Sequence, residues 1–211
     1  MPVTEHPMQA LAKFLPEGSF EPVVQYIHHF KVHLTVTKKR KTVLGNYLHA
    51  GLNRNHKITI NGNLNQYEFL ITLLHELAHL LAFEQFRNKI EPHGKEWKLI
   101  YSKLLIDFVQ RKIFPEDVEK ALQKSIINPA ATANGETELL LVLRNYNTTQ
   151  KEGVTTVEHL PAGSIFQTEN GKVFQKGNQR RKRYECVEIK TGLKYLFSPV
   201  AEVKIVSANK D

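Results

Sequence analysis

Residues 73–81 read Leu73-Leu74-His75-Glu76-Leu77-Ala78-His79-Leu80-Leu81, and the fold turns on them. On a helix, His75 and His79 lie one turn apart on one face, so both imidazoles can reach a single Zn2+. Glu76 stands beside them, placed to take a proton from an attacking water. Phe69, Leu70, Leu73, Leu74, Leu77 and Leu81 recur at helical spacing, which makes this a core helix. Upstream, Asn65 suits its N-cap, with Glu68 in the capping-box position. A bare H-E-x-x-H pattern also arises by chance on polar helices. Here the flanks are leucine and alanine, and two buried imidazoles without partners are costly unless a metal satisfies both.

A catalytic zinc takes three protein ligands and a water. The metzincin continuation needs glycine at position 82 and histidine at position 85; the chain has Ala82 and Gln85. Glu84, Glu91, His93 and Glu96 remain. Glu84 lies about 140° round the helix axis from His79 and points elsewhere. His93 sits in Glu91-Pro92-His93-Gly94-Lys95-Glu96-Trp97. Pro92 suits the first turn of a second helix, and Gly94 leaves room for close backbone approach. A second helix folding back would deliver His93, with Glu96 one turn on as the alternative ligand. Histidine is the commoner metal ligand, which favours His93.

Together, Thr72 to His79 and Pro92-His93-Gly94-Lys95-Glu96-Trp97-Lys98 resemble the SprT-like metallopeptidase domain. That family includes Spartan-type proteases acting on proteins crosslinked to DNA. Val43-Leu44-Gly45-Asn46-Tyr47 and Lys57-Ile58-Thr59-Ile60-Asn61 resemble the strands preceding its active-site helix. The likeness spans roughly residues 20–110. It implies a zinc peptidase with one zinc on His75, His79 and His93 and with Glu76 as base. Many members also carry a four-cysteine zinc ribbon. This chain has only Cys186, so none forms here.

A 211-residue chain holds one good core plus a small second module. The single cysteine excludes intrachain disulfides and fits a reducing compartment. Met1-Pro2-Val3-Thr4-Glu5-His6 lacks a signal pattern, and no apolar run approaches membrane-spanning length. The expectation is a soluble cytoplasmic protein with no membrane partner. The formal charge of +8 is uneven: residues 1–64 hold 8 Lys/Arg against 3 Asp/Glu, 65–135 hold 9 against 9, and 136–211 hold 12 against 9. The basic excess therefore lies in the two flanks.

The expected fold class is α+β: a zincin-like catalytic domain over 1–127, a linker over 128–136, and a small all-β, barrel-like module over 137–211. Helices are expected over 7–15 and 21–29. Strands over 32–36, 42–49 and 57–61 form a small antiparallel sheet. The His93 helix continues through Trp97, Ile100, Leu104, Leu105 and Phe108, and a final helix covers 116–126. Asn128-Pro129-Ala130 to Gly135 is unpatterned. Beyond it, 139–143, 164–168, 172–175, 183–189, 193–197 and 202–206 read as strands, with Asn170-Gly171 a hairpin signal.

Arg180-Arg181-Lys182-Arg183, followed by Tyr184, is the chain's strongest nucleic-acid signal, pairing clustered cations with an aromatic ring able to stack. The alternative is a hairpin edge protected by charge. Lys38-Lys39-Arg40-Lys41 reads as a basic turn. Tyr47, Tyr67 and His49 are candidates for oxyanion support, with no spacing that selects one. The expected function is a zinc-dependent peptidase acting on a protein or peptide, with DNA-associated proteins as one substrate class. The rivals are a non-catalytic nucleic-acid-binding protein with a structural zinc, and a metal-dependent hydrolase of something other than peptides.

Overall fold

The computed structural model describes residues 8–40, 43–52, 54–130, 137–147 and 153–207. The class is mixed α+β, and the chain divides into two compact units, Met1–Asn147 and Thr148–Asp211. In the first unit, α1 (Gln9–Ala12) and α2 (Phe20–His29) lead into β1 (His33–Thr37), β2 (Gly45–Leu48) and β3 (Lys57–Asn61). Helices α3 (Gln66–Phe86), α4 (Lys95–Gln110), α5 (Glu116–Ile127) and α6 (Thr137–Arg144) follow.

The three-stranded sheet has the order β1-β3-β2, with β1 parallel and β2 antiparallel to β3. It is mixed, where an antiparallel sheet was expected. Burial explains the insertion: Ile58 and Ile60 of β3 are fully buried, so the most apolar strand takes the centre, and the more exposed β1 and β2 flank it. Arg40 braces this arrangement. Its guanidinium donates to Asn61 Oδ1 at 2.7 Å, Thr59 Oγ1 at 2.9 Å, and the Leu44 and Thr59 carbonyls at 3.2 Å. One cation of the first basic run is thus a strut between strands; Lys41 lies outside the described residues.

Helix α3 is the axis of the unit. Asn65 caps it, accepting from the Glu68 backbone N–H at 3.0 Å, as the sequence indicated. Phe69, Leu70, Leu73, Leu74, Leu77 and Leu80 are fully buried, because the sheet, α4 and α6 together cover nearly every face. Its 21 residues reach a mean hydropathy of 1.2 over an 18-residue window, enough by length and composition alone to cross a membrane, where no run of spanning length was expected. With 67% of that window buried inside the protein, its apolarity is accounted for by the core.

Leu139–Leu143, expected as a strand, lies in helix α6 and packs on α5 and α3. A short unbroken apolar run has no period to separate strand from helix. Asn65 Nδ2 donates to the Leu143 carbonyl and to Asn147 Oδ1, both at 2.8 Å, tying the end of α6 to the start of α3. The chain therefore divides at Asn147 rather than at the expected linker, of which positions 131–136 lie outside the described residues.

The second unit is one antiparallel sheet: β4 (Val154–Thr156), β5 (Ile165–Gln167), β6 (Val173–Arg180), β7 (Arg183–Glu188), β8 (Lys194–Phe197) and β9 (Glu202–Ser207). The order is β4-β9-β5-β6-β7-β8, so β4 and β8 are its ends and the sheet, expected to be barrel-like, does not close into a barrel. Its small core, Val157, Leu160, Phe166, Phe174, Cys186 and Val203, lies on one face, and no ladder joins the end strands.

Candidate metal centre

The ligand-capable nitrogens of His75, His79 and His93 all lie within 4.8 Å of one another. The first two come from α3 at the expected i, i+4 spacing. His93 arrives from the turn between α3 and α4, which begins later than expected, at Lys95 with Gly94 as its N-cap. Two backbone features aim His93. Its own φ is +58°, a left-handed conformation rare for a side-chain-bearing residue and a local strain the surroundings must hold. Gly94 N–H donates to the Glu91 carbonyl at 2.9 Å, and a Cβ on Gly94 would sit 2.9 Å from that same oxygen.

Trp97, one turn into α4, packs its ring against the whole triad, with centroids 4.7, 5.0 and 4.6 Å from His75, His79 and His93. The sequence marked Trp97 only as a helix-core residue; its seal over three histidines comes from the fold. Burial and the neighbouring imidazoles push His75 down to about 3, and burial with His93 pushes His79 down to about 4. Burial also lowers His93. All three are neutral at neutral pH, the form that ligates. His93 Nε2 is buried with no hydrogen-bond partner, an expensive omission unless something else binds it. These observations fit a metal. Glu84, Glu91 and Glu96 are not part of the group; Glu84 meets His56 and Arg87 instead, and Glu91 and Glu96 are exposed.

Glu76 is 6% exposed, and burial drives its carboxyl up to about 8, opposed by the charge of Arg40 and by a hydrogen bond from the Tyr47 backbone N–H. The carboxylate fits because position 45 lacks a side chain: a Cβ there would lie 2.6 Å from Glu76 Oε1 and 2.8 Å from Thr72 Cγ2. Glycine within a strand is itself a sequence signal of close approach.

Tyr47 also stacks on His79, with rings nearly parallel and centroids 6.5 Å apart. Its hydroxyl is 2.8 Å from His56 Nδ1, which also accepts from Ala50 N–H at 3.3 Å, while His56 Nε2 faces Glu84 at 3.3 Å. His56 thus holds the outer end of Tyr47. The other two oxyanion candidates are engaged elsewhere: Tyr67 packs on Phe114 and Tyr146, and His49 on Phe83.

The second basic run forms the β6–β7 hairpin tip. Arg180 and Arg183 pair across it, with Arg181 at φ +56° in the turn. Arg180 is tied to Glu185 at 2.7 Å, and the Lys176 ammonium lies 4.0 Å over the Tyr184 ring. One cation and one face of the aromatic are therefore already engaged, leaving Arg181, Lys182 and Arg183 exposed and without ion pairs among the described residues.

A histidine triad carried by a core helix and the turn after it, beside a small mixed sheet, defines an α+β domain with a candidate metal centre. Residues 11–113 match the SprT-like family, and this region of the chain is a SprT-like domain. It is 35% identical over 81 residues to the protein SprT of Glaesserella parasuis serovar 5 (strain SH0165), covering 36% of this chain and 51% of that protein. Against the protein SprT of Pseudomonas entomophila (strain L48) it is 44% identical over 57 residues, covering 24% of this chain and 35% of that one. The chain thus spans about half the length, or less, of these curated relatives. No solved structure matches it.

Proposed function

We propose that the SprT-like domain is a zinc-dependent peptidase with a zincin-like site, in which His75, His79 and His93 hold one zinc and Glu76 is the general base. The observation that carries this reading is the pairing of three converging neutral imidazoles with a buried carboxylate one residue from the first of them. A site serving structure alone needs no base there. A zinc held by the triad would supply a Lewis acid for the scissile carbonyl and the attacking water, and beside its charge the Glu76 carboxyl would return towards the ionised form. Glu76 takes a proton from the attacking water and passes it to the leaving amine. Tyr47 holds this base through its backbone N–H and flanks His79 with its ring, and Trp97 covers the triad from the α4 side.

The test is hydrolysis of an unstructured protein by the purified full chain. Cleavage stops on chelation and returns with added Zn2+. If the zinc-loaded chain cleaves no protein, with or without DNA, the peptidase reading fails and the non-catalytic rival gains.

The exposed Arg181, Lys182 and Arg183 support DNA-associated proteins as the substrate class, through phosphate contacts more than base stacking. Replacing these three by serine should flatten the log–log salt dependence of DNA affinity by about 2–3 units, since each phosphate contact contributes roughly 0.7–0.9. An unchanged slope would assign the hairpin tip to edge protection.

A further inference from the structure

Antiparallel neighbours alternate between pairs that exchange ladder hydrogen bonds and pairs that do not. Along β7–β8, Glu188 N–H donates to the Leu193 carbonyl at 2.9 Å, and the register continues through Val187–Lys194, Cys186–Tyr195, Glu185–Leu196 and Tyr184–Phe197. Tyr195, Phe197 and the Leu193 carbonyl therefore face β7, while the Leu193 N–H donates to Thr191 Oγ1. Lys194 and Leu196 turn N–H and C=O outward, at an edge that no described strand pairs.

Proteins ordinarily blunt such an edge with charge, proline or a bulge. This one shows apolar side chains instead: Leu193, Tyr195 and Leu196 are 58, 37 and 54% exposed, and Ile189 in the preceding turn is 53% exposed. The one charge on the strand, Lys194, lies 3.0 Å from Glu185, a carboxylate it shares with Arg180, so the group stays net positive.

We propose that the outer edge of β8 binds an extended acidic-apolar segment of another protein as an added strand. Charge selects the occupant. Residues 153–207 hold 9 Lys/Arg against 5 Asp/Glu. Two cations without ion pairs among the described residues bracket the edge: Lys190 in the turn before β8, and Arg183 just past the Tyr184–Phe197 pair. Antiparallel pairing of β8 with a second copy would set the Lys190 end of each against the Arg183 end of the other, cation against cation, which disfavours self-association. The phosphate groups of a nucleic-acid backbone only accept hydrogen bonds, so that backbone matches the outward N–H groups of Lys194 and Leu196 but not their carbonyls. An extended peptide satisfies both the donors and the acceptors, and acidic residues at its ends meet the flanking cations.

The experiment measures fluorescence anisotropy of labelled, acetylated peptides against the full chain. The peptides alternate valine and threonine between glutamate ends, and a matched set has lysine ends. The glutamate set should bind, with affinity falling about tenfold or more on the change to lysine ends or in Lys190→Glu. Leu196→Pro removes an outward N–H without touching the β7 ladder, as edge positions tolerate, so binding should be lost while the thermal melt is kept. Lys190→Glu lies in an exposed turn and tests the same surface should the proline variant unfold. The proposal is overturned if the glutamate-ended peptides fail to bind at about 1 mM, a weak-affinity ceiling, or if both variants bind like wild type. It is equally overturned if Leu196→Pro abolishes a concentration-dependent dimer, which makes the occupant a second copy, or abolishes DNA binding, which makes it a nucleic acid.

Discussion

Glu76→Gln should bind zinc at the wild-type stoichiometry and lose peptide hydrolysis by about 10²–10⁴-fold, the usual worth of a positioned general base. The amide keeps the size and shape of the carboxylate and can still accept from the Tyr47 backbone N–H. It also removes an ionisable group that burial holds up at about 8 even against the Arg40 charge and the Tyr47 N–H, so the fold should not suffer from the change. Metal analysis beside a cleavage assay separates the two effects. Gly45→Ala approaches the same carboxylate from outside: its Cβ would lie 2.6 Å from Glu76 Oε1 and 2.9 Å from Glu76 Cγ, so the base must move. A displacement near 1 Å costs on the order of 10²-fold in rate, with the metal retained. A Gln variant that cleaves as fast as wild type would remove Glu76 from the chemistry.

Adding Zn2+ to the chelated protein should raise its melting temperature by about 8–16 °C when free metal is near a thousand times Kd. Binding to the native state alone is then worth about 4 kcal/mol, and a domain of this size gains roughly 2–4 °C per kcal/mol. His93→Ala removes one of three ligands. Loss of even an outer partner typically costs 10–100-fold in metal affinity, and loss of a ligand costs at least the upper figure. At the same free zinc its shift should shrink to about 3–6 °C or less. Glu96→Ala, which alters an exposed residue outside the triad, should shift like wild type. Full stabilisation of His93→Ala, with loss in Glu96→Ala, would reverse the ligand assignment.

The triad was legible because its parts are local or carry their own chemistry. His75 and His79 need only a helix to share a face, and the leucines around them could form little else. His93 was the one remaining histidine within reach of a returning chain, although the helix assumed to deliver it begins two residues later, at Lys95. The left-handed backbone of His93 and the steric demand at Gly94 do that work, and φ has no periodic signature. Helix α6 was misread because Leu139–Leu143 offers no alternation; its packing on α5 and α3 decided helix over strand.

What the amino-acid sequence by itself determined was the mixed α+β class, the helix bearing His75 and His79 with its Asn65 cap, and the separation of a helix-rich first part from a strand-rich second. Each follows from spacing or from the preferences of neighbouring residues. Tertiary structure alone decided that β3 inserts between β1 and β2, that Arg40 spends its charge bracing strands, that Trp97 seals the triad, and that Tyr47 and Gly45 fit the Glu76 carboxyl into place. It also decided that the second sheet stays open with β8 at its edge. Those outcomes depend on which buried surfaces and unpaired backbone groups meet across long sequence separations, and the free energy of such meetings belongs to the pair, not to either residue's local pattern.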